Sequence, residues 1–456
     1  MADLLDEEAA QRRVGGLLAR LAGLGIHAGE RIAVLAGNGA AFVAARDAAI
    51  AADLVLVPIN PRLAPAEIRW IVSHAKPRAL LVDDAHRASA PHHIPTIELE
   101  RAGEAATTVD LARIGATILY TSGTTGRPKG CWRTAAQEQA RTDELRRSYS
   151  ISNADTHLIV CPLAHSAPGI LLRAARAVGA RTVIAPKFTP EQFIADVQQH
   201  AATLVFLVPT QVHRLLALPR PDLPSLRAVI VAGAPFLPAQ KAAFLEWLGP
   251  GRLFEFYGSS ETGTVSVIGP DEHAAHPGSV GRPPPGVSVQ VHDGEIFVRS
   301  PALMSGYLDE RGDTVLPMPL RDGHFSVGDL GSIDDAGWIT LLDRKHDTII
   351  TGGLNVYPAE VERALAELPE VAGAVVFGVP DDDWGQLVAA VIATREGAML
   401  DGPAVRAALR DHLAGYKLPR AVAFCEIGEL PIGSSGKALR RAAREAFAGR
   451  LQRIGA

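Results

Sequence analysis

A chain of 456 residues is too long for one ordinary hydrophobic core, so its length predicts two or three domains. With 47% hydrophobic and 21% charged residues it has the composition of a globular protein, neither disordered nor fibrous. A net charge of -5 without a basic block argues against a nucleic-acid binder, and apolar runs such as 204–208 and 371–379 are too short for a membrane span.

The acidic start MADLLDEEAA lacks the apolar stretch of a secretory signal. Cys131, Cys161 and Cys425 are scattered and have no metal-ligand spacing, which suits buried free thiols in a reducing, cytoplasmic setting.

Along the chain, Val14, Leu17, Leu18 and Leu21 recur at helical spacing and give one apolar face. A strand is expected at 31–36 and a helix at 40–52. Short β-forming runs follow at 54–59, 79–82, 117–120, 158–161, 182–185 and 204–208, with helical segments such as 190–200 and 211–218 between them. Apolar strands alternating with helices predict an α/β fold whose parallel sheets are covered on both faces. From about Val287 the rhythm changes to a β-rich segment. VSVQVHDGEIFVRS alternates around Asp293-Gly294, a hairpin signal, and a second strand–turn–strand carries Gly337 in its turn. After Arg344 a smaller unit begins, with a helix at 359–367, strands at 371–379 and 387–394, and a helix at 405–414. The expected division is therefore a large N-terminal domain, residues 1–343, and a small α+β C-terminal domain, residues 344–456.

The densest chemical signal is ILYTSGTTGRPKG, residues 118–130. It follows a strand, is crowded with glycine and hydroxyls, and ends in Lys129. Glycines let backbone N–H groups approach an anion, hydroxyls add donors, and the lysine adds a cation. The spacing is not that of a Walker loop. Taken as composition alone, such a segment is more often only an ordinary turn.

As an ordered string, TSGTTGRPKG resembles the phosphate-binding loop of the adenylate-forming superfamily: acyl-CoA synthetases, firefly-type luciferases and the adenylation domains of peptide synthetases. The resemblance runs from about residue 10 to 445 in the family's order. It implies that Thr121, Ser122, Gly123, Thr124, Thr125 and Lys129 hold the β- and γ-phosphates of ATP. FEFYGSSETG is similar to the family's segment in which a tyrosine packs on adenine and a glutamate ligates Mg2+. That implies adenine stacking for Tyr257 beside Gly258, metal ligation for Glu261, and an α-phosphate hydroxyl for Ser260, where the family usually has threonine. VAGAPF is similar to the adenine-bordering turn, with Gly233 and Ala234 leaving room for the base. Asp329 of SVGDLG and Arg344 match the ribose-binding pair, although Val327 stands where the family commonly has threonine.

The loop 351–362, with Gly352, Gly353, Tyr357, Pro358 and Glu360, resembles the segment that faces the acceptor, and Lys417 of GYKLPR the basic segment that contacts an acceptor phosphate. Lys437 of LPIGSSGKALRR matches the catalytic lysine, and His165 of CPLAHSAPG the gate of the acyl pocket. His346 occupies the aligned hinge position, more often aspartate or lysine in the family, and the N-terminus is expected to be a few tens of residues shorter than usual.

The implied activity is an ATP- and Mg2+-dependent, AMP-forming ligase that adenylates a small-molecule acid and passes it to coenzyme A. Catalysis would rest on Lys437, Glu261 and His165. An adenylating enzyme with another acceptor (a carrier-protein thiol, an amine, or oxyanion activation of the diazotising type) and a non-catalytic binding module are the other readings. Either a monomer or a homodimer is compatible with the sequence. Arg173 and Arg176, one helical turn apart, are expected on a solvated helix face and not at a second carboxylate of the substrate.

Overall fold

The computed structural model describes residues 2–121, 128–351, 354–381, 383–410, 412–433 and 437–454. Two large sheets dominate the first two thirds of the chain. In an eight-stranded sheet, Arg31–Leu35 lies between the parallel strands Val55–Ile59 and Ala79–Val82, and Thr117–Thr121 joins next to Val55–Ile59. In a seven-stranded sheet, Thr156–Ile159, Arg181–Ile184, Leu204–Leu207, Ala228–Val231 and Leu253–Ser259 run parallel. Their residues carry β-branched or aliphatic side chains on both faces because helices cover both sides. Ile32, Val34, Val205 and Val229 are all buried.

The edges depart from the all-parallel expectation. Lys129–Arg133 returns antiparallel to Thr117–Thr121, so the phosphate-loop string connects two hydrogen-bonded neighbours. Gly263–Ile268 likewise returns antiparallel on Leu253–Ser259. Short connections of this kind permit only antiparallel pairing, whereas a parallel crossover needs a dozen or more residues.

One apolar core joins the two sheets. It runs from Ile32 and Val34 through Phe42 and Val43 of the helix Ala40–Ala51 to Leu172 of the helix Ser166–Arg176, and on to Ile159 and Ile184. Each such aliphatic side chain contributes about 1.5–3 kcal/mol on burial. Within the same layer lies a group of buried charges. Arg173 bonds to Glu138, and Arg176 bonds to Asp47 and to Glu7, the latter at 2.7 Å. The expectation of a solvated face for Arg173 and Arg176 is therefore wrong. Their helix is sandwiched between the sheets, and carboxylates from three other helical segments neutralise the arginines.

A four-stranded antiparallel sheet follows, built from Ser288–His292, Glu295–Arg299, Asp329–Ile333 and Ile339–Arg344. The first hairpin turns at Asp293 and Gly294, with φ of 53° and 78°, the left-handed pair that a tight type I′ turn demands. A last sheet collects strands from Ile349 onward, with Val371–Asp381 antiparallel and Ala421–Cys425 parallel to Gly385–Thr394. All three cysteines are free and buried. Among the described residues no helix is long and apolar enough to cross a membrane.

Candidate active site

The strand Leu253–Ser259 ends in an irregularity between Tyr257 and Gly258. A side chain at Gly258 would place its Cβ 2.2 Å from the Gly263 carbonyl oxygen, so the close return of the chain requires glycine. The turn is then fastened by Ser259, whose Oγ accepts from the N–H groups of Glu261 and Thr262 at 3.1 Å. Arg133 donates to the Ser260 carbonyl, and the Met304 N–H donates to the Glu261 carbonyl at 2.9 Å.

This places the Glu261 carboxylate in a buried position with Oε1 doubly engaged. That oxygen accepts from the Thr121 hydroxyl at 3.2 Å and from the Tyr307 hydroxyl at 3.0 Å. Lys129 lies over the Tyr307 ring, 5.3 Å from its centroid. Among the described residues no group of three or more metal-ligating side chains occurs. A single carboxylate beside a phosphate-loop strand fits Mg2+, which takes few protein ligands and completes its shell with phosphate oxygens and water.

On the adjoining sheet, Asp329 and Arg344 face each other in register, with Arg344 Nε 3.2 Å from Asp329 Oδ1. The Tyr257 hydroxyl donates to Asp329 Oδ2 at 2.6 Å, which links the two sheets. Burial, then the Asp329 charge, raises the Tyr257 hydroxyl far above the ordinary tyrosine range, so it remains a donor.

Lys437 reaches this group from the C-terminal segment. Its hairpin is closed by the Gly433 N–H on the Lys437 carbonyl at 2.8 Å and the Leu439 N–H on the Pro431 carbonyl at 2.9 Å. Burial and Arg344 lower the Lys437 ammonium below its usual range, while Asp329 and Glu261 oppose the shift. Arg440, three residues further on at the start of the helix Arg440–Phe447, is held by Glu362 at 2.9 Å and Asp347 at 3.1 Å, which fixes the base of the hairpin.

Lys437 and Gly433 cap a cavity of about 1010 Å³. Val160, Ile170, Phe206, Ile230 and Phe256 give it an apolar stretch, with the polar Arg62, Arg141, Gln211, His213 and Arg214 on the same lining; Gly233, Gly258 and Ser260 line it as well. Gly233 has φ of +94°, a conformation that suits glycine at this turn. His165 lines the cavity beside Asn60, whose Nδ2 is 3.2 Å from His165 Nε2. Burial, then Arg62 and Lys437, lowers the His165 imidazole, so the ring is neutral near pH 7.

The structure thus brings together Thr121, Tyr257, Glu261, Asp329, Arg344 and Lys437, while Lys437, Gly258, Ser260, His165 and Gly233 line the cavity. Ala234 follows Gly233 but is not part of the cavity wall. Lys417 is also apart from that wall and is paired with Glu360 at 2.6 Å. Ser122, Gly123, Thr124, Thr125, Gly352 and Gly353 lie outside the described residues. Sequence reasoning missed Tyr307, Asn60 and Arg133. Each acts through a contact remote in sequence and carries no local motif of its own.

The sequence profile of the AMP-binding enzymes matches residues 8–308, and that of the AMP-binding enzyme C-terminal domain matches residues 360–437. The chain belongs to the AMP-binding enzyme family. It is an ATP-dependent, AMP-forming ligase. A feruloyl-CoA synthase from Amycolatopsis sp is 33% identical over 96% of this chain and 92% of that protein. A 2-succinylbenzoate–CoA ligase from Bacillus licheniformis is 30% identical over 92% of this chain and 90% of that protein. Among solved structures, the amide bond synthetase McbA from Marinactinospora thermotolerans superposes with a TM-score of 0.84 at 32% identity, covering 96% of this chain and 94% of that one.

Proposed function

We propose that this enzyme adenylates an organic acid with a predominantly apolar body, of the aryl or arylalkyl type, and transfers the acyl group to coenzyme A. The observation that carries this reading is Lys437, delivered over a cavity with an apolar stretch into electrostatic reach of Glu261, Asp329 and Arg344.

In this reading the acid lies along the Val160–Phe206–Phe256 wall, with its carboxylate beside His165 and Lys437. A neutral His165 supports an anionic nucleophile without protonating it. The carboxylate oxygen attacks the α-phosphorus of ATP, and the bond to the bridging oxygen of pyrophosphate breaks. Lys437 offsets charge growing on the α-phosphate and the leaving oxygen. Glu261, oriented by Thr121 and Tyr307, would hold Mg2+, which supplies charge neutralisation when bound. Asp329 and Arg344 would orient the ribose, and Tyr257 the adenine. The acceptor thiol then attacks the acyl carbonyl and AMP leaves.

The substrate class rests on the apolar stretch of the lining, on Arg173 and Arg176 being consumed by internal carboxylates, and on relatives named for feruloyl and succinylbenzoate groups. A second reading, transfer to an amine, is supported by the similarity to an amide bond synthetase at a TM-score of 0.84. A panel of acids screened by ATP–pyrophosphate exchange, followed by product mass spectrometry with coenzyme A or an amine, tests both. Thioester formation is expected. Amide formation without thioester would favour the second reading, and no exchange with any aryl acid would overturn the substrate class.

A further inference from the structure

Behind His165 and Ser166, and separate from the large cavity they also line, lies a second cavity of about 20 Å³. A void of that size holds a single water-sized occupant. Its wall includes Arg46, Arg173, Thr117 and Gly169. Arg46 is 4% exposed, and among the described residues its Nε and Nη1 have no hydrogen-bond partner, nor does Arg173 Nε. The nearest carboxylate oxygen to Arg46, Asp47 Oδ1, is 3.6 Å away, beyond hydrogen-bond distance. The other Asp47 oxygen is taken by Arg176.

The charges around this void are shared and not matched one to one. Arg46, Arg141, Arg173 and Arg176 are buried together; Asp47 serves both Arg46 and Arg176, Glu138 serves both Arg141 and Arg173, and Glu7 adds a second partner for Arg176. Glu138 also lines the void, and its two carboxylate oxygens accept from Thr117, Arg141 and Arg173.

A buried guanidinium with unpartnered N–H groups and a shared carboxylate is costly, and a neutral water would meet the hydrogen-bonding need but add no charge. We propose that this cavity is a binding site for a small monovalent anion of halide size, held by Arg46 and the free edge of Arg173. Such an anion accepts from several N–H donors and places a negative charge beside guanidiniums whose carboxylates are shared. It would tie the helix Ala40–Ala51 to the helix Ser166–Arg176, and so brace the segment that presents His165.

The test compares the full chain in chloride, bromide and gluconate salts at equal ionic strength, gluconate being too large to enter. A ligand that binds only the folded state stabilises it logarithmically with its concentration. Chloride and bromide are expected to raise Tm by about 2 °C or more over gluconate. The increment should grow with halide concentration and vanish in Arg46→Met. Equal melting in all three salts, or an undiminished increment in Arg46→Met, overturns the proposal. Crystals grown in bromide keep it falsifiable if the variant fails to fold. An anomalous difference peak beside Arg46 and Arg173 is expected, and its absence in a site occupied by water refutes the anion.

Discussion

Arg173 and Glu138, from different helices, meet in a buried ion pair in the layer between the two large sheets. Burial alone would raise the Glu138 carboxyl, but Arg173, Arg141 and Arg133 together pull it down to about 2. Arg141, 3.3 Å away, stays with Glu138 when Arg173 is removed, whereas losing the shared carboxylate strands guanidiniums, so Glu138→Gln should cost about 3–5 kcal/mol. Arg173→Ala should cost less than Glu138→Gln, because Glu138 keeps its Arg141 partner. Chemical denaturation decides between this and an exposed pair, for which the loss would stay below about 1 kcal/mol. The sign with pH follows from the depressed carboxyl. Its stabilisation is complete above the unfolded value of 4.5 and is lost as pH falls from there towards 2.

Tyr257 and Asp329 give a second prediction. Their 2.6 Å hydrogen bond joins the nucleotide-side strand to the ribose-side carboxylate. Hydrogen bonds to charged groups are worth about 1.5–3 kcal/mol. If the bond positions Asp329 for the ribose, Tyr257→Phe should raise KM for ATP about tenfold while kcat changes little. An unchanged KM for ATP would mean that Asp329 is positioned by Arg344 alone.

Lys437→Ala tests the assignment of the charge over the cavity. A group matched to charge that develops only in the transition state lowers kcat when removed, by about 10²-fold or more. Pyrophosphate exchange should fall by at least that factor. Conversion of a synthetic acyl-adenylate plus coenzyme A to thioester should survive, since pyrophosphate has already left and the bond broken there joins the acyl carbon to AMP. Equal losses in both half-reactions would point to a folding defect or to a different catalytic residue.

The lowered Lys437 ammonium has its own signature. Burial and Arg344 disfavour the charged form, so the proton is lost earlier as pH rises than from a free lysine at 10.5. The basic limb of kcat/KM for adenylation should therefore fall below that value. In Lys437→Arg, where the charge is permanent, the limb should disappear from the accessible range even if the rate is lower. A limb that persists unchanged in Lys437→Arg belongs to another group.

The sequence was most legible where chemistry is written locally. Strands such as Ala79–Val82 and the helix Pro190–His200 follow from apolar runs, and Pro190 with the Thr189 cap marks a helix start. The nucleotide-site residues were legible because the motif strings keep their order. What failed was everything that depends on neighbours distant in the chain. Arg173 and Arg176 look like ordinary surface residues until the packing of two sheets on one helix layer is known. Tyr307 follows a glycine in an unremarkable strand, and only the antiparallel pairing of Gly306–Leu308 with Lys129–Arg133 brings it to Glu261. The helix expected at 405–414 instead spans Gly402–Leu409, started by the Asp401 cap on the Ala404 N–H, a signal that the apolar period alone overlooked.

The last prediction concerns His346, at the expected boundary between the two domains. The resemblance to adenylating enzymes implies that the C-terminal domain reorients between adenylation and acyl transfer, turning at this position. Here residues Lys345–Asp347 form a single 3₁₀ turn, directly after the strand that carries Arg344. The turn belongs to the arrangement that inserts Lys437 over the cavity. A proline at 346 fits its own φ to a turn but pushes the preceding residue towards extended backbone, and Lys345 is inside the turn. His346→Pro should therefore disfavour the Lys437-inserted arrangement and leave an extended linker tolerable. Adenylation, read by pyrophosphate exchange, should fall further than thioester formation from a synthetic acyl-adenylate. If the residue only connects two strands, both half-reactions should decline in proportion to lost stability. A variant with unchanged Tm and equal losses in the two half-reactions would retire the hinge, because a conformational bias must divide between the states it distinguishes.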